Sequence, residues 1–356
     1  MLSNNDRRSG DKTAPAIQPL PAIRSLDELR DLLKRLPGPD LQAEALAAAR
    51  DSQLTKPAGS LGRLEEIVLW LCRWQGQHPP RMDRPQTCVF AGNHGIAAEG
   101  VSAFPISVTA QMVENFRRGG AAINQLSAAL SAKVTVVPLD LDRPVRNFAE
   151  SAAMDEEECV AAFNAGAAAV DPSASLLCPG EMGIGNTTAA SAICHGLWGG
   201  DPADWCGRGS GVSSAVVERK AALIARAAER HGPALHDGLD VLRILGGREI
   251  AAMAGAIVAA RLLRIPVMLD GFICCAAAAA LHDVDPDSLA HCMVGHASLE
   301  RGHQRLLREL DRKPLLDLNL RLGEGTGGVL AATIAKSAVA CHNGMATFAE
   351  AGVDGA

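Results

Sequence analysis

The chain has 356 residues, of which 48% are hydrophobic and 21% are charged. It can therefore bury a substantial core in one large or two ordinary domains. A formal net charge of −6, with no basic run longer than two residues, excludes nucleic acid as an expected partner.

The features that bear on compartment favour a cytoplasmic protein with no membrane partner. Residues 1–22 are predicted to form a disordered leader, because they begin with a polar mixture that lacks the apolar core of a secretory signal. The longest apolar run, residues 272–281, is far shorter than the roughly 20 residues of a membrane span. Ten scattered cysteines without C-x-x-C spacing are predicted to be small buried hydrophobes rather than a disulfide framework.

Three helices are predicted before the first strand. Ser25 and Glu28 form a capping box that begins the first helix, and the proline-rich turn at residues 37–39 ends it. The next two helices are predicted over residues 40–50 and 61–77. Because no strand separates these helices, they must pack on each other or on something distant in sequence.

From residue 87 onward, short apolar segments alternate with helical stretches, which indicates βαβ units. Strands are predicted at 87–91, 134–139, 175–178, 266–269 and 291–294. Helices are predicted near 108–116, 121–130, 187–198, 213–230, 249–263, 272–281 and 299–310, and a final helix over 329–341. We expect a Rossmann-like α/β domain over 86–329, a mostly parallel sheet with helices on both faces. A small helical domain is expected from residues 23–85 and 330–356.

The chemically interesting motifs follow predicted strands. Asn93-His94-Gly95 follows the first strand, residues 180–188 follow the third, and Asp270-Gly271 follows the fourth. In right-handed βαβ units the carboxyl ends of parallel strands meet at one edge of the sheet. The sequence therefore predicts a site at that edge.

Residues 183–188, with the sequence Gly-Ile-Gly-Asn-Thr-Thr, enter a helix and favour an anion site, because free amides and the helix dipole face the ligand. Capping of the helix explains Asn186 and Thr187 without any ligand. The spacing is not that of a P-loop, and no acidic residue stands at the dinucleotide-binding distance. A single phosphate is the favoured anion.

Lys220 and His94 are further candidates with ordinary alternatives. Lys220 follows the glycine turn at 207–211 and could reach a phosphate, although a lysine on a helix is most often solvated. His94 could be a base or a metal ligand, but no second histidine or cysteine stands at ligand spacing, which favours a structural hydrogen bond.

Glu181 and Glu324 are the favoured proton-transfer groups, because both carboxylates lie in glycine-rich loops. Burial beside apolar neighbours such as Met182 and Leu322 would raise the pKa of each carboxyl and improve it as a base near neutral pH. An exposed glutamate in an ordinary glycine turn is the alternative for Glu324.

Six ordered motifs resemble those of the nicotinate-nucleotide–dimethylbenzimidazole phosphoribosyltransferase family. They occupy residues 56–64, 93–95, 101–112, 180–187, 269–272 and 321–327. The resemblance implies transfer of the 5-phosphoribosyl group from nicotinate mononucleotide to 5,6-dimethylbenzimidazole, in cobalamin lower-ligand synthesis. It also implies a homodimer with a Rossmann-like and a small helical domain, and a reaction that needs neither metal nor cofactor.

The same resemblance assigns roles to individual residues. Glu324 is the implied base. The implied nucleotide-binding residues are Gly183, Gly185, Asn186, Thr187, Gly209, Lys220 and Asp270. The implied base-binding residues are Phe104, Met112, Glu181 and Leu322. Some family members have serine and glutamine where this chain has Phe104 and Met112, so its pocket offers fewer hydrogen bonds to the acceptor.

Two other functions remain open from the sequence. A phosphoribosyltransferase of the same fold could use adenine, another benzimidazole or a phenol as acceptor. A non-catalytic nucleotide-binding module would bind the donor without releasing nicotinate, and Glu324 would then be a turn residue.

Overall fold

A computed structural model describes residues 22–207 and 213–354. The first 21 residues of the predicted leader lie outside the described residues, and so does Gly209, which was predicted to bind the nucleotide.

Five parallel strands form one sheet in the order β2-β1-β3-β4-β5. The strands are β1 Pro85–Ala91, β2 Lys133–Pro138, β3 Leu176–Met182, β4 Val267–Leu269 and β5 Cys292–Val294. Each lies within a few residues of its predicted position, which confirms the α/β fold class. The largest difference is at β3, which continues through Pro179 and Gly180 although that pair resembles a strand end. Pairing with β1 along the whole length of β3 keeps it extended.

Fifteen α-helices surround the sheet in the described residues. The helices before β3 are α1 Leu26–Leu33, α2 Leu41–Asp51, α3 Arg63–Gln75, α4 Ser107–Arg117, α5 Ala122–Leu130 and α6 Glu156–Ala168. Those between β3 and β5 are α7 Asn186–Trp198, α8 Pro202–Trp205, α9 Ser214–His231, α10 Gly238–Leu245, α11 Arg248–Leu262 and α12 Phe272–Val284. The last three are α13 Arg301–Glu309, α14 Thr326–Gly344 and α15 Phe348–Ala351.

Alternate strand residues point to two different cores, as a sheet covered on both faces requires. Val89 and Met268 face a core built with α2, α3, α5 and α14. Phe90 and Leu269 face the opposite core, built with α6, α7, α10, α11 and α12. The helix α1 packs in this second core through Leu29, away from α2 and α3. The division into a small helical domain and an α/β domain stays a prediction.

The helices that the sequence did not predict include α6 and α10. Asp155 and Glu158 form a capping box that begins α6, a signal that could have located this helix. Asp237 similarly accepts hydrogen bonds from the backbone N–H groups of Leu239 and Asp240 at the start of α10.

The ten cysteines are free thiols, and all but Cys341 are buried. This confirms that they act as small hydrophobes rather than as a disulfide framework. In the part of the chain that the structure describes, no helix combines the length and apolarity needed to cross a bilayer.

Candidate active site

A central cavity of about 450 Å³ opens at the carboxyl edge of the sheet. It is lined by loops that follow β1, β3, β4 and β5 and by the Glu324 loop, residues 320–328. Every described residue to which the family resemblance assigns a role lines this cavity. These residues are Phe104, Met112, Glu181, Gly183, Gly185, Asn186, Thr187, Lys220, Asp270, Leu322 and Glu324.

The Glu324 loop has an unusual backbone. Gly323, Glu324 and Gly325 have φ angles of 83°, 64° and 89°, all in the left-handed region. Glycine adopts such angles freely, but a residue with a Cβ loses about 1 to 2 kcal/mol. Glu324 is nevertheless only 6% exposed, and its Oε2 atom has no hydrogen-bond partner among the described residues. The exposed-turn alternative for Glu324 is therefore wrong.

Two contacts hold this loop against the sheet. Gly180 of β3 lies directly beneath it, and a Cβ added there would overlap the carbonyl group of Glu324. From the end of β4, the carboxylate of Asp270 accepts hydrogen bonds from the backbone N–H groups of Gly325, Gly327 and Gly328 at 3.0, 2.8 and 3.0 Å. The helix α14 begins at Thr326, among these contacts and three residues before its predicted start.

Both candidate proton-transfer carboxyls have a pKa raised above the ordinary value of a glutamate. Burial, reinforced by the negative charge of Asp270, raises the pKa of Glu324 to about 7. Burial, followed by the charges of Asp270 and Glu249, raises the pKa of Glu181 to about 8. At neutral pH Glu324 is thus partly ionised and can accept a proton, whereas Glu181 is mostly protonated.

Asn186 contacts the other carboxyl instead of capping its helix. Its side-chain N–H donates a short hydrogen bond to Oε2 of Glu181. The N-cap of α7 is Gly185, with a φ of 99° and no side-chain capping bond. The capping alternative for Asn186 and Thr187 is therefore wrong, and the 183–188 turn presents the start of α7 to the cavity.

Lys220 of α9 also lines the cavity and is only 3% exposed, so it is not a solvated lysine. Burial lowers the pKa of Lys220, and the charge of Glu300 partly opposes this effect. Ser298 and Glu300, on the loop after β5, also line the cavity. Sequence analysis missed them, although their position after a predicted strand was a usable signal.

Apolar side chains form another part of the cavity lining. Phe104 and Leu322 are 52% and 57% exposed at its mouth, and Val108, Met112 and Met182 complete the lining. A flat heterocycle fits such a surface, with the carboxyls of Glu181 and Glu324 as nearby polar groups.

His94 does not reach the cavity lining. Its Nε2 atom lies 2.5 Å from Oε1 of Glu249, and both side chains are buried behind the 183–188 turn. This confirms the structural hydrogen bond predicted for His94. Glu249 was not predicted, because nothing in its sequence surroundings distinguishes it from other charges at the start of a helix.

Comparisons with known proteins agree with this site. A family model described as "Phosphoribosyltransferase" matches residues 36–353. A nicotinate-nucleotide–dimethylbenzimidazole phosphoribosyltransferase from Ruegeria pomeroyi is 59% identical over 94% of this chain and 99% of its own length. The enzyme of the same name from Brucella canis is 54% identical over 92% of this chain and 96% of its own.

A solved structure is also similar to this chain over most of its length. The crystal structure of CobT from Thermus thermophilus superposes with a TM-score of 0.83 at 41% identity, covering 88% of this chain and 100% of that chain. The segment matched by the family model contains the cavity and every described residue that lines it. The chain therefore belongs to the nicotinate-nucleotide–dimethylbenzimidazole phosphoribosyltransferase family.

Proposed function

We propose that this protein transfers the 5-phosphoribosyl group from nicotinate mononucleotide to 5,6-dimethylbenzimidazole. The products are nicotinate and α-ribazole 5′-phosphate, used in cobalamin lower-ligand synthesis. The observation that carries the proposal is the position of Glu324, a buried carboxyl with a raised pKa in a cavity that is also lined by Lys220, by the 183–188 turn and by apolar side chains.

The donor phosphate and ribose belong beside the 183–188 turn and Lys220, since the start of a helix and a buried ammonium group both favour an anion. The family resemblance adds Gly209, outside the described residues, to this set. The pyridinium nitrogen of the donor is already cationic and becomes the neutral ring nitrogen of nicotinate when it leaves, so the leaving group needs no general acid.

The acceptor belongs beside the apolar side chains of Phe104, Met112 and Leu322. As one ring nitrogen attacks C1′, positive charge develops on the ring, and Glu324 accepts the proton from the other nitrogen. A carboxylate near the reacting carbon also stabilises the charge that builds on the ribosyl group. Attack in line with the departing nicotinate inverts C1′ from β to α. Positioning of both substrates can supply about 7 to 11 kcal/mol in favourable cases.

Replacement of Glu324 tests this assignment. We expect Glu324→Gln to keep the fold and to lower kcat by at least ~10²-fold, because a positioned base is lost. Nicotinate release from nicotinate mononucleotide with and without dimethylbenzimidazole is the measurement, and Glu66→Gln, on the exposed surface of α3 away from the cavity lining, is the control. Near wild-type turnover would contradict the role of Glu324. Donor binding without acceptor-dependent release would instead identify a non-catalytic module.

A different acceptor remains the second candidate, because Phe104 and Met112 offer no conventional hydrogen-bond donor to the ring. Turnover with adenine or a phenol, but not with dimethylbenzimidazole, would establish it.

We also propose a cytoplasmic homodimer. Ten free cysteines support a reducing compartment. The exposed Leu41 and Leu46 on α2, at 65% and 51%, support a partner surface near the chain ends. Sedimentation of the full chain tests the assembly, and a monomer at micromolar concentration would contradict it.

A further inference from the structure

The carboxylate of Asp270 is directed at the backbone of the Glu324 loop. Oδ2 accepts from the N–H of Gly325, and Oδ1 accepts from the N–H groups of Gly327 and Gly328. Asp270 is 2% exposed, so these bonds form away from bulk water. Hydrogen bonds to an ionised acceptor are roughly twice as strong as neutral ones. Three of them converge on one side chain.

These bonds substitute for a local helix cap. The N-cap residue of α14, Gly325, has no side chain that could cap the first turn. Asp270, which follows β4, satisfies these amides from 55 or more residues away in sequence. A single carboxylate thereby joins the end of a strand to the start of a helix, with Glu324 immediately before that start.

These bonds help to hold Glu324 in its unfavourable backbone conformation. A non-glycine residue at a φ of 64° persists only where its surroundings fix it. The amides of Gly325, Gly327 and Gly328 lie within four residues of Glu324 on its carboxyl side. With Gly180 packed against its carbonyl side, the backbone of Glu324 is held from both directions.

We propose that Asp270 is the positioning residue for Glu324, holding the loop in its left-handed conformation and setting the charge environment of the carboxyl. This inference rests on the proposed function of Glu324 as the base. It goes beyond the nucleotide-binding role expected for Asp270, because three of the roughly four acceptor positions of the carboxylate already accept amides of the protein.

Several ionisable groups lie near Asp270 and affect its ionisation or are affected by its charge. His296 lies 3.3 Å away on the β5 side, measured from its Nε2 to Oδ1 of Asp270. The charge of Asp270 also acts on Glu181, on Glu324 and on His303, and on the thiols of Cys178, Cys274 and Cys275. Burial alone would raise the pKa of Asp270, but the His296 ring and the backbone amides lower it, so Asp270 stays ionised. Its negative charge opposes ionisation of Glu324.

The test is Asp270→Asn, which keeps the size of the side chain but removes the charge and places an amide donor against amide donors. We expect kcat to fall about 10²-fold, as for a misplaced catalytic group, with little change in the KM for nicotinate mononucleotide. The acid limb of the pH profile of kcat should move to lower pH, since Glu324 ionises more easily without its negative neighbour. Asp270→Glu should lower kcat without moving the limb, because it keeps the charge and alters the geometry.

The control is Asp155→Asn, since Asp155 also accepts a backbone amide at the start of a helix but does not line the cavity. It should leave kcat and the pH profile unchanged. A raised KM for the nucleotide with unchanged kcat and unchanged acid limb in Asp270→Asn would overturn the proposal in favour of nucleotide binding.

Hydrogen exchange of the ligand-free wild-type protein tests the inference independently of activity and of whether the variant folds. Peptides that cover residues 324–330 should exchange slowly, as buried bonded amides do. Exchange at the rate of an exposed loop would overturn the proposal. Absence of phosphoribosyl transfer by the wild-type protein, with slow exchange in these peptides, would refute the proposed function and leave the contact itself intact.

Discussion

Gly180 lies so close to the backbone of Glu324 that no side chain fits between the two residues. A strand residue and the carboxyl-bearing loop are therefore in direct backbone contact. The order β1-β3-β4 in the sheet places β3 beneath this loop and β4 beside it. The position of Glu324 thus depends on the sheet as well as on its own loop.

We expect Gly180→Ala to displace the Glu324 loop, because the added methyl group would overlap the Glu324 carbonyl and both neighbours are backbone. Overpacking of this kind costs about 1 to 3 kcal/mol, and kcat should fall together with the thermal midpoint. Gly38→Ala is the matched control, since nothing lies within 4 Å of a Cβ at that position. Equal activity of the two variants would show that the loop tolerates the shift.

We expect kcat to rise with pH through about 7, since Glu324 must be ionised to accept a proton and its pKa is raised to about 7. The measurement is a pH profile of kcat at saturating substrates. An acid limb near 4.5, the ordinary value for a glutamate, would contradict a buried base.

The same raised pKa affects stability. The unfolded chain loses the Glu324 proton at about pH 4.5 and the folded chain at about 7, so the folded state loses stability as pH rises through this interval. Glu324→Gln removes this contribution. Its thermal midpoint relative to wild type should therefore increase between pH 5 and pH 8, and a constant difference would argue against the raised pKa.

We expect Lys220→Met to raise the KM for nicotinate mononucleotide by about tenfold or more, with a smaller effect on kcat. A hydrogen bond to a charged group contributes about 1.5 to 3 kcal/mol, and methionine keeps most of the buried stem of the lysine. Lys133→Met is the control, because Lys133 lies on the surface beside Asp171. An unchanged KM in Lys220→Met would place the phosphate elsewhere.

We expect Met112→Gln to shift acceptor preference toward bases with polar edges. A glutamine adds a donor and an acceptor to an apolar wall, which favours adenine over dimethylbenzimidazole. Competition between the two bases for one donor measures the ratio directly. A ratio equal to that of the wild type would show that Met112 does not touch the acceptor ring.

The sheet and the cavity edge could be predicted from sequence because both depend on local patterns. The apolar strands, the glycine turns that follow them and the handedness of βαβ units are each visible in a short stretch of chain. These patterns favoured Glu324 and Glu181 as proton-transfer groups whose pKa burial would raise, while an exposed turn stayed open for Glu324. They also indicated that Lys220, after the glycine turn at 207–211, could reach a phosphate.

Contacts between distant segments could not be predicted in the same way. The three amide bonds of Asp270 and the contact of Glu249 with His94 join residues from different strands and helices. The extension of β3 through Pro179 depends on its neighbours in the sheet rather than on its own residues.

The left-handed backbone at position 324 means that the protein gives up stability for its chemistry. Glycine there would adopt the same angle without strain and would remove a buried acid. Selection for thermal resistance alone would consequently favour a glycine triplet at 323–325, and only selection for turnover would retain the glutamate.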